Sequence, residues 1–136
     1  WKFYEELGKN SEEIMKKLNL PYRTIEICTG DLGDWKARSS DIEVYRPTTK
    51  DYGEVGSLSN CTDYQARDLN IRGLDKHGNR YVLHTLNNTA LATSRIMVAI
   101  LENCQQKDGS VKVPTALQKY MGRKVIKSMK VKHNKK

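Results

Sequence analysis

The sequence predicts an α+β domain: an antiparallel sheet with flanking helices. Three observations carry this. Strand-like segments follow one another without strict βαβ alternation. Asp75-Lys-His-Gly-Asn, between Ile71–Leu74 and Arg80–Leu86, reads as the five-residue loop of a hairpin. The clearest helix, Thr93–Gln105, comes after these strands, where it can cover one face of a sheet. At 136 residues the chain suits one domain or one piece of a larger one.

In chain order, Asn10-Ser-Glu-Glu opens a short helix with a capping residue and acidic side chains in its first turn. Ile14, Met15 and Leu18 form its apolar stripe, and Pro21 fixes its end near Asn19. Tyr22–Cys28 alternates and is rich in β-formers, so it is a strand. Thr29-Gly-Asp-Leu-Gly-Asp-Trp breaks every period and is a loop. Asp41-Ile-Glu-Val-Tyr alternates strictly up to Pro47 and is the second strand. Tyr52–Leu58 is the third, with Gly53 and Gly56 marking a bulge or a close backbone approach. Thr62–Leu69 reads as a short helix capped by Thr62, followed by the hairpin. In Thr93–Gln105, Ile96, Met97, Ile100, Leu101 and Cys104 recur at helical spacing. Pro114 opens a last helical segment through Tyr120, and Gly122 closes it.

The net charge of +8 is unevenly spread. Residues 123–136 hold seven Lys or Arg and no acidic residue, so the rest is nearly neutral. Charge confined to this tail, expected to be frayed, argues against a dedicated nucleic-acid face. No apolar run approaches the ~18 residues of a membrane span. The start has no signal-peptide pattern, lacks Met and begins in mid-pattern, so the chain reads as a fragment. Cys28, Cys61 and Cys104 are odd in number and widely spaced, and His77, His84 and His133 are scattered. That disfavours a disulfide scaffold and a zinc site; buried structural thiols in a reducing cytoplasm are expected.

Polar residues next to apolar strand positions are the remaining candidates. Glu54, Ser57, Ser59 and Asn60 form one set. Glu54 and Ser57 are three apart, so a regular strand puts them on opposite faces, while a bulge at Gly56 unites them. United, they offer hard oxygens for Mg²⁺ beside phosphate; a plain solvated strand is the other reading. A second set is Asn87-Asn-Thr-Ala-Leu-Ala-Thr-Ser-Arg95. An arginine in a helix's first turn opposes the dipole, which points either to a bound anion or to a carboxylate partner such as Glu102 or one on a neighbouring strand. Asp63, Gln65 and Arg67 read as a wet helix face.

Gly53-Glu-Val-Gly-Ser-Leu-Ser-Asn-Cys-Thr-Asp-Tyr-Gln-Ala-Arg and Thr85-Leu-Asn-Asn-Thr-Ala-Leu-Ala-Thr-Ser-Arg resemble the seryl-tRNA synthetases. The second resembles motif 3 of the class II aminoacyl-tRNA synthetases in its serine-specific form. Pro21-Tyr-Arg, Cys28-Thr-Gly-Asp-Leu-Gly, Asp41-Ile-Glu-Val-Tyr, Leu101-Glu-Asn-Cys-Gln, Val113-Pro and Tyr120-Met-Gly fit in the same order. The resemblance implies a class II catalytic core, with residues 1–122 as the C-terminal part of a catalytic domain and 123–136 as a basic tail. It implies activation of L-serine by ATP and Mg²⁺ and transfer to tRNA(Ser), in a cytoplasmic homodimer without membrane attachment. Glu54 is implied to contact ATP and Mg²⁺, with Ser57 as its metal- and phosphate-side companion. Val55 and Gly56 supply the backbone between them. Thr89 is implied to contact serine, Asn87 to line the same pocket, and Arg95 to grip the outer phosphates; Glu54 and Arg95 are thus the expected catalytic residues.

The family's tRNA-binding arm, motif 1 and motif 2 have no counterpart in this sequence, so the chain alone is expected to be inactive. Two alternatives stay open: a synthetase-like ligase that loads a carrier protein, and a non-catalytic RNA-binding fragment. In the last, Lys127, Lys130, Lys132, Lys135 and Lys136 would hold phosphates weakly.

Overall fold

The structure is a computed structural model that describes residues 1–128. Lys130, Lys132, Lys135 and Lys136 lie outside the described residues. Helix α1 (Lys2–Leu18) precedes strands β1 (Tyr22–Glu26), β2 (Arg38–Arg46) and β3 (Asp51–Thr62). Next come α2 (Tyr64–Asp68), β4 (Arg72–Leu74), β5 (Arg80–Val82), β6 (Thr85–Asn88) and α3 (Thr93–Cys104). The chain continues through β7 (Val111–Lys112), α4 (Thr115–Met121) and β8 (Val125–Ile126). The main sheet has the order β1-β2-β3-β6, every neighbour antiparallel.

Helix α1 begins two turns before the expected start at Asn10. Tyr4, Ser11, Met15 and Leu18 are its buried residues, one stripe along one face, and Tyr4 carries that stripe back toward the N-terminus. Ser11 donates its hydroxyl to the Leu7 carbonyl at 3.2 Å, a mid-helix contact. Asn19 ends the helix in the left-handed conformation, φ 54°. The Tyr4 hydroxyl sits 2.6 Å from Ser40 Oγ, so the buried ring keeps its polar tip satisfied and ties α1 to β2. Nearby, Arg38 bridges Glu26 and Glu5, each at 2.8 Å.

Met15, Leu18 and Leu20 pack with Ile42, Val44 and Val55 of the sheet and Ile96 and Ala99 of α3. Both helices therefore cover the same sheet face. Each fully buried aliphatic side chain contributes on the order of 1.5–3 kcal/mol. On β2 the core residues are even-numbered, which leaves Asp41, Glu43 and Tyr45 on the opposite face.

Four further expectations need correction. Arg80–Leu86 is two strands: β5 pairs with β4, whereas β6 leaves the hairpin to pair with β3. The helix after Thr62 starts at Tyr64; Thr62 closes β3 with φ 46° and does not cap. The chain is also not frayed straight after Gly122, because Val125–Ile126 pairs with Val111–Lys112, although both β8 side chains stay exposed. Cys61 is buried, but Cys28 is exposed and Cys104 half-buried, so the buried-thiol expectation holds fully for Cys61 alone. No helix among the described residues is long and apolar enough to cross a membrane.

Candidate active site

The site is built on an irregularity between β2 and β3. Ile42 pairs with Gly56, but Glu43 pairs with Glu54, so Val55 is an extra residue on β3. The bulge lies one residue before the glycine the sequence pointed to. Its effect is the one parity requires. Ser57 lies opposite Asp41 and Glu54 opposite Glu43, and Asp41 and Glu43, two apart on β2, share a face. Glu54 and Ser57 therefore emerge together on the face away from the helices, while Val55 is buried in the core.

Gly56 serves the next segment. A Cβ there would lie 3.0 Å from the Ala90 carbonyl oxygen, so the glycine lets residues 89–92 run against the edge of β3. The Thr89 amide donates to the Ser57 carbonyl at 2.9 Å, and the Ala92 amide donates to that of Val55 at 2.6 Å. The segment bends at Ala90, held at φ 51°, where the Asn88 side chain accepts the Ala90 amide at 2.7 Å. A non-glycine residue in this region stores strain of about 1–2 kcal/mol. The bend brings the Thr89 and Ser57 hydroxyl oxygens to 3.5 Å. It also starts α3 beside the β3 edge, and Arg95, in the first turn, reaches the Glu54 carboxylate at 2.7 Å. Asn87 pairs with Ser59, which pairs with Ser39, so by register Asn87 shares the face of Ser57.

Glu54, Ser57, Asn87, Thr89 and Arg95 thus converge, with Val55 and Gly56 as the backbone between the first two. Of the two readings of Arg95, the carboxylate partner is realised, on the neighbouring strand and not at Glu102. Glu102 instead accepts the Thr48 amide at 3.2 Å. Ser59 and Asn60 do not join the site: the Ser59 hydroxyl lies 3.0 Å from that of Ser39, and Asn60 accepts the Thr62 amide. Asp63 and Arg67 pair with each other, and Gln65 accepts the Thr85 hydroxyl.

Two acidic residues on this face escaped the sequence reading. Glu43 is engaged by Arg23 at 2.6 Å, and that guanidinium also lies over the Tyr52 ring. Asp41 is half-buried opposite Ser57. Burial first, and then the nearby charge of Glu54, push its carboxyl above the ordinary range. The strict alternation of Asp41-Ile-Glu43-Val was the available signal, since it puts both carboxylates on one face. Arg46 is a further neighbour; a Cβ on Gly53 would come within 2.7 Å of its Nε.

Among the described residues, no three His, Cys, Asp or Glu side chains converge on a point where an ion could sit. Glu54 and Ser57 nonetheless fit Mg²⁺ of a particular kind. That ion keeps waters and takes one or two protein oxygens plus phosphate oxygens, not a full protein cage. The Glu54 side chain is 40% exposed, which leaves room for such a shared shell.

The profile of the tRNA synthetase class II core domain (G, H, P, S and T) matches residues 1–104. Over 128 residues the chain is 56% identical to a serine--tRNA ligase of Pyrococcus furiosus, an alignment covering 93% of the chain and 28% of that protein. A serine--tRNA ligase of Rubrobacter xylanophilus is 54% identical over 123 residues, 90% of the chain and 29% of that protein. The crystal structure of seryl-tRNA synthetase from Pyrococcus horikoshii complexed with ATP superposes with a TM-score of 0.92 at 49% identity, covering 96% of the chain and 29% of its own. Cytoplasmic serine-tRNA ligase from Naegleria fowleri in complex with AMP gives 0.85 at 41% identity, with coverages of 93% and 31%. The chain therefore spans less than a third of the length of the relatives it matches. With bulge, motif 3 bend and helix-borne arginine in one place, and the core-domain profile matched from residue 1 to 104, the chain belongs to the class II tRNA synthetase core domain family.

Proposed function

We propose that this chain supplies the nucleotide- and serine-gripping part of a serine--tRNA ligase. The observation that carries the reading is the convergence of Glu54, Ser57, Asn87, Thr89 and Arg95 across three separate elements. The identity with serine--tRNA ligases and the superposition on an ATP complex supply the chemistry. Arg95 holds the outer phosphates of ATP with its planar fork. Glu54 and Ser57 hold Mg²⁺, which neutralises phosphate charge when bound. Thr89 and Asn87 orient serine so that its carboxylate meets the α-phosphorus. A C–O–P link forms as pyrophosphate leaves, and the seryl group then passes to a hydroxyl of the terminal adenosine of tRNA(Ser) as AMP leaves. Fixed charges aimed at the phosphates and held-in-line reactants are the two physical contributions of these residues. A homodimeric, cytoplasmic enzyme accords with this reading.

The test is a graft. The matched 128 residues of the Pyrococcus furiosus ligase are replaced by those of this chain. The chimera is assayed for ATP–pyrophosphate exchange against a panel of amino acids. Serine-dependent exchange is expected; exchange driven by another amino acid, or none from a folded chimera, contradicts the assignment.

A further inference from the structure

Helix α3 carries more apolar surface than the core takes up. Ile96 and Ala99 are buried against the sheet, but Met97 and Leu101, one turn apart, are 60% and 44% exposed. They form one wall of an open groove of about 390 Å³. Leu117 and Met121 of α4, with Val111 and Ile126 of the β7–β8 ribbon, form the other, and Met121 and Ile126 are likewise exposed. Apolar side chains left open together in this way mark a docking surface. We propose that the groove docks an acidic amphipathic helix of a partner protein, with its apolar face against α3 and its carboxylates over the basic margin of α4 and β8.

Shape sets the kind of segment. The α3 wall runs from Thr93 to Leu101, about 12 Å at 1.5 Å per residue. A helix fills that length with apolar residues at i, i+3, i+4 and i+7. Met97 and Met121, unbranched and adaptable, suit a surface that must repack around an incoming side chain. The surface is concave, so it takes a ridge of side chains and not the plane of a bilayer.

Charge selects among occupants of that shape. From Gln105 to Ser128 the basic residues are Lys107, Lys112, Lys119, Arg123, Lys124 and Lys127, and the acidic one is Asp108. Asp108 is committed to Ser110, whose amide and hydroxyl its carboxylate accepts. Glu102, the carboxylate of α3, accepts the Thr48 amide. Lys124 stands at the groove itself. Its carbonyl accepts the Val113 amide at 2.9 Å, which extends the pairing of Val111 with Ile126, so by alternation Lys124 shares the side of Ile126. A second copy of this chain would bring the same basic margin, like charge on like. Residues 129–136 bring Lys130, Lys132, Lys135 and Lys136 and no acidic side chain, so they suit the groove no better. An acidic segment matches the apolar walls and the charge together.

The experiment is fluorescence anisotropy with a labelled synthetic helix of about 14 residues, leucines at the spacing above and glutamates elsewhere, beside a twin with lysines for the glutamates. Both are titrated with the 136-residue chain and with the chimera of the preceding section. The acidic peptide should bind both proteins at least about tenfold tighter than its twin at low salt, and the ratio should narrow as salt rises. Met97→Glu should weaken the acidic peptide about tenfold, and Lys124→Glu should narrow the preference between the peptides. Val98→Ser, on the other flank of α3, should change neither. If Met97→Glu fails to fold by circular dichroism, Met97→Ser takes its place, with a smaller loss expected. Equal affinity for the two peptides, no binding of the acidic one by the folded chain, or binding that the Met97 variant leaves unchanged overturns the inference. So does binding by the chain that is lost in the folded chimera, since the rest of the ligase then covers the groove. Sedimentation of the chain alone as a dimer that the Met97 variant dissociates would assign the face to a second copy and overturn it as well.

Discussion

Residues on the open sheet face differ in how their charge is balanced, and Asp41 is the one left at a cost. Half-buried opposite Ser57 and near the Glu54 charge, its carboxyl is held above the ordinary range. The ionised group is therefore less favourable in the folded chain than in the unfolded one. That cost is absent below the ordinary carboxylate pKa, where both states are protonated, and is complete once pH exceeds the raised value. Asp41→Asn should raise the melting temperature at pH 7, on the order of 2 °C, and the gain should disappear near pH 3. A variant equally stabilised at both values would tie the effect to packing and not to charge. Thr89, whose hydroxyl is 3.5 Å from that of Ser57, makes a second case. In the chimera, Thr89→Val should raise the KM for serine more than that for ATP, and an equal rise would remove it from the serine pocket. Glu54, Ser57 and Arg95 were legible in the sequence as residue types out of keeping with their neighbours. The ion partner of Arg95 was not, since nothing in sequence spacing says which of several carboxylates a strand register will deliver.

At the scale of elements, the bulge and Gly56 decide whether a site exists. Val55 as the extra residue reverses the parity of β3 and unites Glu54 with Ser57, and Gly56 admits the backbone that carries Thr89. Gly56→Ala should cost about 1–3 kcal/mol in urea unfolding, since its Cβ would press on the Ala90 carbonyl of a segment tied to β3 by the Thr89 and Ala92 amides. Gly30→Ala, with nothing within 4 Å of its Cβ, should be nearly neutral by comparison. Equal costs would deny the close approach. The core half of the same argument is Met15, fully buried between α1 and the sheet, where Met15→Ala should cost about 2–5 kcal/mol. The sheet, α3 and α4 could be read from alternation, helical spacing and the Pro114 and Gly122 signals. The start of α1 could not, because Tyr4 stands a full seven residues before Ser11, outside the window in which Ile14, Met15 and Leu18 show their period. The break between β5 and β6 was hidden for a different reason. Arg80–Leu86 is uniformly strand-like, and the choice of partner, β4 or β3, is tertiary.

For the whole molecule, the helices sit on one sheet face and the candidate chemistry on the other, joined at the β3 edge where α3 begins. The chain spans 28% of its Pyrococcus furiosus relative, and the 136 residues assayed alone should give no serine-dependent exchange. Robust exchange by the chain alone would show that these residues make a sufficient site. The central claim is that Arg95, delivered to Glu54 by the motif 3 bend, is a phosphate-gripping residue of a serine--tRNA ligase. The most direct test is serine-dependent ATP–pyrophosphate exchange by the chimera carrying Arg95→Ala beside the unaltered chimera. Loss of one oriented charge at a phosphate is worth about 2.7–4 kcal/mol in comparable sites, so exchange should fall about 10²- to 10³-fold with the melting temperature unchanged. A folded Arg95→Ala chimera that exchanges at the unaltered rate would contradict it.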